Sequence, residues 1–66
     1  MKATVNGEDR ELPHGITVGT LLEQLGVAPS GIAVAKNERV VRRAEYESSE
    51  IADGDTVEII KAVAGG

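Results

Sequence analysis

The chain has 66 residues, seven basic and eleven acidic side chains, a formal charge of −4 and no cysteine. That length admits one small domain and leaves no room for a second core or a deep catalytic cleft, and the charge opposes a nucleic-acid partner, whose affinity comes mainly from Lys and Arg. The lack of cysteine rules out a disulfide scaffold, a thiolate metal site and a thiol nucleophile.

Seventeen Ile, Leu and Val residues, one Tyr and no Phe or Trp must carry the fold. Nearly every periodic aliphatic position is therefore expected in one compact core, with few to spare for a ligand. No segment approaches the ~20 apolar residues of a membrane span, and Asn6, Gly7 and Glu8 come too soon for the apolar run of a signal peptide. No membrane partner is expected, and the localisation is read as cytoplasmic.

In chain order, Met1 to Val5 is a short strand followed by Asn6-Gly7, the dipeptide best suited to a two-residue type I′ turn because both positions need positive φ. A return strand runs from about Glu8 to Leu12 and ends at Pro13, with His14-Gly15 as a loop. Val18, Leu21, Leu22 and Leu25 then stand at i, i+3, i+4 and i+7, one apolar stripe of an α-helix. Thr17 can cap its start, and Gly26 can take the left-handed position at its end, with Val27 folding back.

Ala28-Pro29-Ser30-Gly31 is a loop. Ile32 and Val34 alternate with Ala33 and Ala35 as a strand whose other face carries only small residues. Lys36 to Arg39 turns the chain into Val40-Val41, an edge strand guarded by Arg42 and Arg43. Ala44 to Ile51 reads as polar and irregular, Asp53-Gly54-Asp55 as a turn, and Thr56 to Val63 as a central strand. The class is α+β: a mixed sheet of about five strands with one main helix packed across one face, the β-grasp (ubiquitin-like) pattern. Its first and last strands are parallel neighbours if the connection crosses right-handedly.

Residues 1–64 are read as the single domain and 65–66 as a flexible tail. Gly65-Gly66 at the very end would arise by chance in roughly 0.5% of chains. Glycine accepts almost any φ and ψ, so the pair can thread a terminal carboxylate into another protein's active site. Such a carboxylate has an ordinary pKa of about 3.3 to 3.7 and is ionised near neutrality, ready to attack the α-phosphate of ATP. Once it is joined to AMP, a sulfur donor can displace the nucleotide and leave a thiocarboxylate.

The chain itself is then a carrier and no enzyme. Gly66 is the candidate for modification and Gly65 its slender neck. No other cluster competes: His14 reads as a solvated loop histidine, Asp53 and Asp55 as a turn without an EF-hand pattern, and no metal site is expected. Lys36, Arg39, Arg42 and Arg43 form a basic patch, followed by acidic Glu45, Glu47, Glu50, Asp53, Asp55 and Glu58. Such a run is ordinarily solvated surface, and its segregation could also steer docking.

The first strand with Asn6-Gly7, the Thr17-Val18 to Leu21-Leu22 and Leu25 helix, Ala33 to Asn37, Val40-Val41, Gly54-Asp55 and Val63 to Gly66 together make the chain resemble the thiamine-biosynthesis sulfur carrier family, ThiS. The resemblance covers essentially the whole length. It implies that a partner adenylating enzyme, using ATP, activates Gly66. It further implies a sulfur donor such as a cysteine desulfurase, delivery to thiazole synthase, and no cofactor held permanently. Members often have Pro and Trp where this chain has Arg42 and Tyr46, which bears on the docking surface and leaves the terminus unchanged. Carriers for molybdopterin, cysteine or tRNA thiolation share the fold, as do ubiquitin-like modifiers and non-covalent β-grasp modules.

Overall fold

A computed structural model of the protein describes residues 1–61. The expected continuation of the last strand to Val63 and the Gly65-Gly66 tail lie outside the described residues. The elements are β1 (Lys2–Val5), β2 (Glu8–Glu11), α1 (Val18–Leu25), β3 (Ile32–Lys36), β4 (Arg39–Val41), a 3-10 turn (Arg43–Glu45) and β5 (Thr56–Lys61). The strands form one sheet in the order β2-β1-β5-β3-β4. β1 and β5 are parallel and the other pairs antiparallel.

Two tight turns set the register. Asn6 and Gly7 have φ of 50° and 82°, and Val5 stands opposite Glu8, as a two-residue type I′ connection requires. Asn37 and Glu38 repeat the geometry with φ of 51° and 68°, between the paired Lys36 and Arg39. β5, flanked on one side by each hairpin, is the central strand that the sequence indicates.

The core lies between the sheet and α1. Ala3 and Val5 of β1, Val34, Val41 and Val57 point inward by the two-residue alternation of strands. Against them pack Val18, Leu21 and Leu22, the expected helix stripe, with Leu25 partly buried beside it. Full burial of an aliphatic side chain contributes roughly 1.5 to 3 kcal/mol. An isolated helix of this length is marginal in water, so this packing is what holds α1 in place.

Both helix ends are closed as expected: Thr17 Oγ1 accepts the Thr20 N–H at 3.2 Å, and Gly26 has φ of 70°. Val27 N–H reaches back to the Leu22 carbonyl at 2.9 Å, the longer bond of a Schellman ending.

Two expectations are corrected. Ala44 to Ile51, read as irregular, is a built segment: it continues the 3-10 turn, buries Tyr46 and Ile51, and runs across the helix N-terminus. There the Val18 N–H donates to the Ser49 carbonyl at 2.9 Å and the Gly19 N–H to the Tyr46 carbonyl at 2.8 Å. These bonds satisfy donors that a helix start leaves without intrahelical partners. Gly19 lies directly under this segment: a Cβ there would meet the Tyr46 carbonyl at 3.4 Å, an ordinary contact, and Glu47 Oε1 at 2.9 Å, the movable end of a side chain.

The second correction concerns the aliphatic residues, not all of which enter the core. Val40 and Ile60 are 75% and 57% exposed, on the sheet face away from α1. Ala35 pairs with Val40 and Ala33 with Ile60, so the small face of β3 has these two as its neighbours.

Candidate functional site

β5 is the element that leads toward the two glycines, and the residues around it define what a partner approaching them would meet. At its start the chain is clamped. Asn37 Oδ1 accepts the Thr56 N–H at 2.9 Å, its Nδ2 donates to Asp55 Oδ1 at 2.9 Å, and Asp55 Oδ2 accepts the Ala52 N–H at 2.8 Å. Partial burial raises the Asp55 carboxyl, but the Ala52 N–H, the Asn37 amide and the Lys36 charge together outweigh it and hold the group below its ordinary 3.8.

Farther along, the surroundings of β5 become asymmetric. Its pairing with β1 stops at Val5↔Val57, whereas its pairing with β3 continues to Ile32↔Lys61. Asn6 finishes the shorter side: its N–H donates to the Val57 carbonyl at 2.9 Å and its Oδ1 accepts the Ile59 N–H at 2.7 Å. Next to Lys61 lies a shallow depression of about 280 Å³ formed with the loop from Gly26 to Gly31 and with Ile32. A second hollow of about 190 Å³ sits between α1 and Tyr46-Glu47.

The charged residues fall into structural and solvated groups. Lys36 Nζ donates to the Glu50 carbonyl at 2.9 Å, Glu45 Oε1 accepts the Arg42 N–H at 3.2 Å, and Asp53 Oδ1 accepts the Lys2 N–H at 2.8 Å. Much of the acidic run is thus engaged in turns. Asp53 and Asp55 have the turn role that the sequence suggests, and His14 is exposed in its loop. Arg39, Arg42 and Arg43 are exposed at the β4 edge without a salt bridge among the described residues.

Gly65 and Gly66, the candidate site residues, lie outside the described residues. What the sequence missed are the groups that brace β5. Asn6 and Asn37 look like simple turn formers, yet each spends its side chain on the neighbouring strand; a polar residue that can bond outward from an αL position is the one hint. No described helix is long and apolar enough to cross a membrane.

A mixed sheet of five strands in this order, its parallel pair at the centre and one helix across its face, defines the β-grasp, ubiquitin-like class. Within that class the chain belongs to the ThiS family, whose profile matches residues 3–66. The crystal structure of the thiamine biosynthesis protein ThiS from Geobacter metallireducens superposes with a TM-score of 0.86 at 32% identity, covering the whole of both chains. The sulfur carrier protein ThiS of Thermus thermophilus is 39% identical over 94% of this chain and 95% of its own length. A thiazole synthase from Paramagnetospirillum magneticum is 38% identical over all 66 residues, which span 20% of its length.

Proposed function

We propose that this protein is a sulfur carrier of thiamine biosynthesis, whose Gly66 carboxylate is adenylated by a partner enzyme, converted to a thiocarboxylate, and used as the sulfur source for thiazole formation. The observation that carries this reading is the reach of the family match, which runs to residue 66 and includes both glycines. Five residues follow Lys61 up to and including Gly66, a maximum span of about 17 Å at the extended rise of a chain. That length can carry the carboxylate away from the sheet into a channel too narrow for the domain.

The chemistry belongs to the partners. The carboxylate attacks the α-phosphate of ATP and displaces pyrophosphate; the terminal sulfur of a donor persulfide, such as that of a cysteine desulfurase, then displaces AMP, and a thiol reductant cleaves the resulting acyl disulfide to leave the thiocarboxylate and the donor's thiol. Activation is needed because a carboxylate is a poor electrophile, and an acyl adenylate has a good leaving group. That a stretch similar to this whole chain lies within the longer P. magneticum thiazole synthase supports thiazole synthase as the acceptor here.

The test is intact-protein mass spectrometry after incubation with the adenylating enzyme, ATP and a sulfur donor. The expected product is heavier by the exchange of one oxygen for sulfur, and deletion of Gly66 abolishes it while the thermal midpoint stays unchanged. An unaltered mass with an enzyme that is active on its own carrier would sink the reading.

A further inference from the structure

β5 has a stretch of open edge beyond the point where its pairing with β1 stops. From Asp55, just before β5, onward the backbone groups of the odd-numbered residues face β1: the Asp55 and Val57 carbonyls accept from the Thr4 and Asn6 N–H groups, and the Ile59 N–H donates to the Asn6 side chain. By the same alternation the Ile59 carbonyl and the Lys61 N–H face that side. β1 has already ended, and its chain turns at Asn6-Gly7 toward β2, on the far side from β5. Among the described residues neither group has a strand partner, because the β1 register stops at Val57.

The outer edges of the sheet are guarded differently. β2 exposes Glu8, Asp9, Arg10 and Glu11, and β4 begins at Arg39 and is followed by Arg42 and Arg43. Charges of this kind disfavour the addition of another strand. The open part of β5 has aliphatic residues instead: Ile59, half-buried against the core, and Ile60, 57% exposed on the outer face. An unpaired edge flanked by aliphatic side chains can take an extended peptide, with hydrogen bonds from the main chain and added contact from the cross-strand neighbours.

We propose that the Ile59–Lys61 edge of β5, on the side vacated by β1, is a strand-addition site for an extended segment of thiazole synthase. The Lys61 N–H and the Ile59 carbonyl pair with the backbone of that segment, and Ile60 packs against its outer side chains. The pairing fixes the root of the tail, so that residues 62–66 enter the acceptor's site from a defined strand. This inference rests on the proposed function for its choice of partner.

Amide exchange of the isotopically labelled carrier, alone and saturated with thiazole synthase, tests it. The Lys61 N–H is expected to exchange at least about tenfold more slowly in the complex, the equivalent of about 1.4 kcal/mol of added protection, while Glu11 on the β2 edge is unaffected. Lys61→Pro removes the donor without touching the β3 ladder, which uses the opposite edge, and is expected to weaken binding about tenfold in a variant that melts like the parent; Lys61→Ala keeps the donor and the affinity.

Unchanged Lys61 exchange in the saturated complex overturns the pairing, as does protection at β2 or β4 instead. Protection of Lys61 in the carrier alone, rising with its concentration, overturns the choice of occupant in favour of a second copy. A carrier that gains sulfur yet lacks Lys61 protection in the complex separates this inference from the functional reading, which then stands; one that never binds thiazole synthase overturns both.

Discussion

The two hairpins have the same turn conformation but different relations to β5. At Asn37-Glu38 the turn is anchored to the start of the strand by both atoms of the Asn37 amide and by Asp55. At Asn6-Gly7 a single side-chain bond, from the Ile59 N–H, marks the place where the first hairpin lets go of β5. The first arrangement makes a closed corner and the second leaves an open edge. A type I′ turn thus serves here either to lock a neighbouring strand or to release it, depending on what its Asn can reach.

Both hairpins hang on the core beneath α1, so truncation there should outweigh any change in a turn. Leu22, 2% exposed, is expected to cost about 2 to 5 kcal/mol on replacement by Ala, through lost burial and the cavity left behind. Urea denaturation measures it, and a loss near zero would place the comparison on a different foundation. Next in size is the pair Asn37→Ala and Asn6→Ala. Asn37 gives up two bonds and a left-handed residue, about 1 to 3 kcal/mol; Asn6 gives up one bond at similar φ, about 1 to 2 kcal/mol. Equal losses would remove the distinction between the closed and open sides.

What could be read from the sequence follows the same division. The helix was legible because its spacing, Thr17 cap and Gly26 ending all agree, and Asn6-Gly7 was legible because the dipeptide suits only a few turns. The family was legible through the order of short motifs, since no single motif carries it. Tyr46 was not, because its burial depends on a backbone path over Gly19 that has no local signature. Nor could the exposure of Val40 and Ile60 be read: alternation tells which residues share a face, and the tertiary packing decides which face the helix covers. The open edge of β5 is a matter of unequal strand lengths on its two sides, which a pattern along one strand does not encode.

A smaller effect probes the strain that the locked turn tolerates. Glu38 has φ of 68°, where a side chain other than Asn or Gly costs roughly 1 kcal/mol, whereas Gly7 holds the equivalent place in the first hairpin without that penalty. Glu38→Gly should therefore stabilise the protein by about 0.5 kcal/mol after the greater freedom of glycine in the unfolded chain is subtracted. For a domain of this size that is a rise of about 2 to 4 °C in thermal midpoint. A fall would mean that Glu38 makes a compensating interaction in solution.

The smallest expected effect is the acid response of the locked corner. The Asp55 carboxyl lies below its ordinary 3.8 because the Ala52 N–H, Asn37 and Lys36 outweigh the opposing effect of burial. A carboxyl depressed in the folded state stabilises it fully above the unfolded pKa, and that contribution is lost as pH falls through the lower folded value. The window is therefore below about pH 4, and neutral solutions should show none of it. Asp55→Asn removes the titrating group and leaves the other carboxylates, so the difference between the two proteins isolates this term. Thermal midpoints from about pH 5 to about pH 2 should fall more steeply for the parent than for the variant. Parallel curves would show that the corner is held by its neutral hydrogen bonds alone, and that the charge of Asp55 contributes nothing to closing that side of β5.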